Sequence, residues 1–151
     1  MYNKILLPTD GSLNSKRAGE HAINLADPKG QIIILHVIEG YNPQTAVLPI
    51  STVPNPDENL LDELEKEGEL ILKDLKEYII KENQGKSDEI KFTSLIREGK
   101  PYLEILKTMT EEKVDLVVMG ASGRHGLDRV ILGSVTERVV RESTKPLLII
   151  P

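Results

Sequence analysis

The run Ile32-Ile33-Ile34-Leu35-His36-Val37-Ile38 constrains this chain more than any other segment. It is rich in β-branched residues and has no polar alternation, the pattern of a strand covered on both faces. Such strands belong to parallel sheets flanked by helices, because the crossover between parallel neighbours needs a covering element. Four more short apolar segments fit the same sheet: residues 5–7, ended by Pro8; 90–96; 116–119, running into Gly120; and 147–150, before Pro151. The segment 90–96 carries Lys91, Thr93 and Ser94, which suits an edge position.

Helical patterns lie between these strands. From about residue 15 to 26, Ala18, Ala22, Ile23, Leu25 and Ala26 form one apolar face. From 57 to about 81, Leu61, Leu64, Gly68, Ile71, Leu72, Leu75, Tyr78 and Ile79 recur at helical spacing, with charge elsewhere. Pro101 opens a third helix at a favoured first-turn position, with a stripe of Leu103, Ile105, Leu106 and Met109. Ser134 starts a fourth, with Glu137 three residues on in a capping-box pattern and Gly133 as the turn before it.

This alternation predicts one α/β domain over residues 1–151, a length that suits a single core. The expected architecture is a Rossmann-like five-stranded parallel sheet, order 3-2-1-4-5, with helices on both faces. Strands 1 and 4 then flank the point where the winding reverses, and ligands in such sheets bind there, outside the strand C-termini. The segments to inspect are therefore 8–12 and 120–136. Residues 41–56, with four of the nine prolines and no helical period, form a long insertion on the same rim.

Four of the eleven glycines fall at 120, 123, 126 and 133, between a strand end and a helix start. A helix N-terminus presents unpaired N–H groups and a positive dipole end, and glycines let the backbone curl around an anion. A side chain at Gly123 or Gly133 would occupy phosphate space or strain the backbone. Ser134 and Thr136 could add hydroxyl donors, and Arg124, His125 and Arg129 charge. Each charge-assisted bond is worth about 1.5–3 kcal/mol, so a few suffice for micromolar binding.

Other motifs fail on spacing. A Walker A loop needs a lysine, and none occurs between 114 and 144. The dinucleotide pattern G-x-G-x-x-G is absent. Gly120-Ala121-Ser122-Gly123-Arg124 misses the nucleophile elbow at its last position. The three histidines show no metal-ligand spacing. With no cysteine, disulfides, iron–sulfur clusters and thiol catalysis are excluded. A net charge of -5 disfavours nucleic acid and acidic membranes as partners, and aromatic residues at 3% leave few stacking surfaces. No segment has the apolar length of a signal peptide core or a membrane span, so a cytoplasmic location is expected.

The pattern G-x2-G-x9-G-S, met by Gly120, Gly123, Gly133 and Ser134, resembles the ATP-binding branch of the universal stress protein family. The opening Lys4-Ile5-Leu6-Leu7-Pro8-Thr9-Asp10-Gly11-Ser12 resembles that family's first strand and adenine-side loop. Leu35-His36-Val37 resembles its second strand, and Ser143-Thr144-Lys145-Pro146 its approach to the last. The resemblance runs in order along the whole chain and implies an adenine nucleotide alpha hydrolase-like fold that binds ATP with Mg²⁺ or Mn²⁺. Asp10 and the backbone at Val37 would hold the adenine end, with Pro8 and Thr9 shaping that wall. Met119 and Gly120 would lie under the ribose and first phosphate. Gly123, Gly133, Ser134, Val135 and Thr136 would contact the phosphates.

Plainer readings stand beside these. Asp10 either simply caps the first helix or tightens a turn with Gly11, or it touches ligand. His36 reads as a satisfied core histidine, His21 as a helix-surface residue, and the acidic segment 57–82 as a solvated face. Gly133 and Ser134 could be only a helix cap, against which the three further glycines upstream count, and Arg124 and Arg129 are either solvated or on phosphate. Three functions remain: an ATP-binding regulatory protein with little or no hydrolysis, a slow ATPase or adenylyl-transfer enzyme, and an interaction protein with an unused pocket. No general base stands out near the glycines. The last strand, Leu147-Leu148-Ile149-Ile150, is an uncharged edge and is expected to form a homodimer with its own copy.

Overall fold

The computed structural model describes residues 1–39, 57–121 and 131–151, with side chains at 57–59 left aside. The elements run β1 (Tyr2–Pro8), α1 (Leu13–Leu25), β2 (Ala26–Ile38), α2 (Asp57–Glu82), β3 (Lys91–Glu98), α3 (Pro101–Glu111), β4 (Leu116–Gly120), α4 (Ser134–Glu142) and β5 (Leu147–Ile150). All strand pairs are parallel and the order is β3-β2-β1-β4-β5, as the alternation predicts. The insertion 41–56 and the residues Ser122, Gly123, Arg124, His125, Gly126 and Arg129 lie outside the described residues.

The unbroken apolar run of β2 has a direct cause. Ile32 and Ile34 join Ile5, Leu7 and Val118 in a core under α1 and α2, with Ala18, Ala22, Leu72, Leu75 and Ile79. Ile33 and Leu35, one step along the pleat, join Leu6, Val117 and Met119 in a second core under α3 and α4, with Ile105, Met109 and Val139. Successive side chains enter opposite cores, so neither can be polar.

Two local expectations are corrected. β2 begins at Ala26, six residues before the apolar run, because Ala26 already pairs with Tyr2 and the ladder resumes at Gln31 opposite Lys4. Its register against β1 shifts between Tyr2 and Lys4, so no side-chain period marks it. At α4 no capping box forms: Gly133 is the N-cap, Ser134 is the first helical residue, and no side-chain cap bond is made. Glu137 instead pairs with Arg141 one turn on, at 2.6 Å.

Candidate functional site

A cleft of about 460 Å³ opens at the C-terminal edge of the sheet, within the roughly 300–1,000 Å³ usual for small-molecule sites. It crosses the switch point between β1 and β4. Ten of the twelve candidate residues line it: Pro8, Thr9, Asp10, Val37, Met119, Gly120, Gly133, Ser134, Val135 and Thr136. Gly123 and Arg124 lie outside the described residues. Ser12, Ser15, Leu35, His36, Glu39, Pro101 and Ile105 also line it and were not singled out as ligand contacts. Pro101 was legible in principle, since α3 starts on the same rim as every helix that follows a strand in this topology.

The β2–β1 end of the cleft is acidic and tightly bonded. The chain leaves the sheet where Thr9 N–H donates to Leu35 O, at 2.8 Å. Gly11 N–H then donates to Thr9 Oγ1 (3.1 Å) and Ser12 N–H to Asp10 Oδ1 (3.0 Å). Ser15 Oγ donates to the same carboxylate oxygen at 3.1 Å, and Ser12 caps α1 by accepting from Ser15 N–H. Partial burial of the Asp10 carboxyl works against its ionisation. Hydrogen bonds from Ser12 and Ser15 outweigh that, and its pKa lies below the ordinary aspartate value. Asp10 thus serves the turn and lines the cleft at once. The cap role itself belongs to Ser12.

Val37 has a backbone reason to be there. In a parallel strand, alternate residues turn their N–H and C=O to the same neighbour. Leu35 bonds Thr9 on the β1 side, while Ile38 accepts from Gly99 on the β3 side at 3.0 Å. Val37 therefore turns its peptide groups toward β1. The β1 pairing has already ended at Pro8 opposite Leu35, so those groups face the cleft.

The β4–α4 end carries donors. Ser134, Val135 and Thr136 form the first turn of α4 and line the cleft, and their N–H groups have no partner within the helix. Gly133 N–H is taken by Ala121 O at 2.7 Å. The Thr136 hydroxyl is buried and donates to Gly120 O at 3.0 Å. That proton ties α4 to the end of β4, so the expected hydroxyl donor to phosphate reduces to the backbone N–H. Gly133 has φ −63 and ψ 160, ordinary extended backbone, so the strain expected from a side chain there does not arise and only the space argument remains. Gly120 answers a packing demand: a Cβ on it would lie 2.8 Å from Asn14 Cβ at the start of α1.

A model of the universal stress protein family matches residues 1–151. The chain belongs to this family. Universal stress protein MJ0531 of Methanocaldococcus jannaschii is 35% identical, over 99% of this chain and 82% of its own length. Universal stress protein MJ0577 of the same organism is 33% identical, over 99% of this chain and 95% of its own. The solved structure of MJ0577 has a TM-score of 0.72, covering 99% of this chain and 96% of that one. A universal stress protein of Archaeoglobus fulgidus in complex with dAMP is 20% identical and shares the fold, with a TM-score of 0.69 over 99% and 98% of the two chains.

Proposed function

We propose that this universal stress protein is a regulatory ATP-binding protein with little or no hydrolysis of its own. The observation that carries the reading is a single cleft with opposite polarity at its two ends. At one end the first-turn N–H groups of α4 and the positive end of its dipole suit phosphates. At the other, the ionised Asp10 repels phosphate, while the Val37 peptide groups offer a donor and an acceptor to a neutral base. A nucleotide satisfies both ends in one orientation only. The glycine pattern Gly120, Gly123, Gly133 and Ser134 is the sequence feature read as the phosphate loop, and Arg124 within that segment would add charge.

A Mg²⁺ or Mn²⁺ ion would neutralise the phosphate chain. Among the described residues no group of three or more His, Asp or Glu side chains converges on a metal position. The ion would be taken through phosphate oxygens and water, with the α4 N–H groups and the Ser134 hydroxyl holding the phosphates themselves. In this orientation Asp10 would stand at the end of the cleft opposite the phosphates, so turnover is expected well below the roughly 10 per second of ordinary enzymes.

Calorimetry on nucleotide-stripped protein tests the reading. ATP with Mg²⁺ is expected to bind at micromolar Kd and GTP at least tenfold more weakly. Gly133→Val is expected to lose ATP binding and remain folded. No heat with ATP, and no competition against a labelled ATP analogue, would overturn it.

A further inference from the structure

The side chain of His36 is the one polar group in the apolar run of β2, and its contacts reach beyond the core. It shares the pleat face of Ile32 and Ile34, directed at α2. Its Nδ1 lies 3.0 Å from Thr9 O. A carbonyl only accepts, so Nδ1 carries the hydrogen and donates. Thr9 is where the β1 ladder stops: its N–H still bonds Leu35, but strand pairing ends at Pro8, and its carbonyl receives a side chain instead. The next residue is Asp10, whose carboxylate forms the acidic end of the cleft.

The ring is seated from behind by a glycine. A Cβ on Gly68 of α2 would stand 2.9 Å from His36 Cδ2 and 3.3 Å from Ile96 Cδ1, so the ring occupies the room that a side chain would need. One turn on, Ile71 lies against Gly11 of the same loop, 3.3 Å from where a Cβ would be. Gly68 and Ile71 are three apart and so share a helix face. One face of α2 thus touches both His36 and the loop that His36 bonds.

We propose that His36 is a positioning residue: seated against Gly68, its Nδ1–H holds the Thr9 carbonyl and so fixes the loop 9–12 that carries the adenine end of the cleft. Through it, the setting of α2 reaches the binding loop, and His36 itself also lines the cleft. The consequence for ATP rests on the function proposed above; the consequence for the loop does not.

Amide hydrogen exchange of the ligand-free protein, paired with ATP calorimetry, tests this in four variants. His36→Leu removes the donor. His36→Asn keeps an N–H the same number of bonds from Cα, and His36→Gln moves it one bond further out. Gly68→Ala displaces the ring from the other side. In His36→Leu, exchange at Asp10, Gly11 and Ser12 is expected to quicken about tenfold, the factor carried by one ordinary hydrogen bond. Leu6 and Leu7 should stay protected, and ATP should weaken by a similar factor. His36→Asn should stay within about threefold of wild type, a rescue that loss of core packing would not give. His36→Gln should fall with the leucine variant, and Gly68→Ala should reproduce the faster loop exchange. Unchanged loop exchange in His36→Leu, or equal damage in the Asn, Gln and Leu variants, would overturn the assignment. Should wild-type protein bind no ATP, the nucleotide reading fails and the exchange data still decide the role of His36.

Discussion

At the scale of single residues, the cleft shows how one side chain serves two demands. Asp10 accepts from Ser12 N–H and Ser15 Oγ, which closes the turn before α1, and its charge lies at the rim of the cleft. Its pKa is depressed, so the stabilisation is fully present above the unfolded value of about 3.9 and is lost as pH falls through the lower folded value. The position is exposed, which discounts the effect to on the order of 1 kcal/mol. Urea unfolding of wild type and Asp10→Ala is expected to give a constant gap in midpoint from pH 5 to 8, closing below about pH 4. A gap independent of pH would mean that the carboxylate charge contributes nothing to the turn.

At the scale of elements, each helix pair is joined by a tyrosine and a cation, and one pair adds a close approach at a glycine. α3 and α4 meet through Arg138, which stacks 4.4 Å from the centre of the Tyr102 ring and donates to its hydroxyl. α1 and α2 meet likewise through Tyr78, whose ring centre lies 5.2 Å from Lys16 Nζ and whose hydroxyl donates to Glu20, and in addition through absence of bulk. A Cβ on Gly19 would lie 2.6 Å from Ile79 Cδ1 and 2.7 Å from Cγ1, and Ile79 is fully buried with nowhere to turn. Alanine ordinarily gains about 1 kcal/mol over glycine inside a helix. Here overpacking is expected to reverse that sign, leaving Gly19→Ala destabilised by about 1–3 kcal/mol in chemical denaturation. Adding Ile79→Val removes the nearest atom, so the double variant should lose less than the two single losses combined. Strict additivity would show that the loss at Gly19 does not come from the Ile79 contact.

At the scale of the whole molecule, the two sheet edges differ. β3 carries Lys91, Arg97 and Glu98, and Arg97 pairs with Glu111 of α3 at 2.6 Å. β5 carries no charge, is half-buried over Leu147, Leu148 and Ile149, and has β4 as its strand neighbour. An uncharged edge recruits another strand, and a two-fold axis would join β5 to its copy antiparallel. We propose that homodimer. Leu148 and Ile149 also pack into the two cores, so polar substitutions there would disturb folding as well as association. The ladder suggests a cleaner variant. Pro146 O and Ile150 O accept from β4 and the residue that follows it, so the peptide groups of Ile149 turn outward. Ile149→Pro removes an outward N–H and leaves the β4 bonds in place. Sedimentation equilibrium should find wild type dimeric at micromolar concentration and the variant monomeric with a native circular dichroism spectrum; a dimeric variant would move the interface elsewhere.

Much of the fold was legible because it is written in neighbours along the chain. Apolar runs, helical periods, Pro101 and the glycines before α4 act over a few residues, and the chirality of crossovers turns that list into one strand order. The switch point followed, and with it ten residues of one cleft. What the chain could not declare are the meetings of residues far apart in it. A glycine reads the same whether it spares room for a ligand or for a helix, and only the packed structure presses Gly120 against Asn14 and Gly68 against His36. Thr136 looked like a phosphate donor until its proton was found on Gly120 O, sixteen residues away. Val37 acts through peptide groups, which every residue has, and their direction depends on where β1 stops pairing. Local preference is encoded residue by residue, whereas the partner of a buried polar group is chosen only when the sheet and its helices close around it.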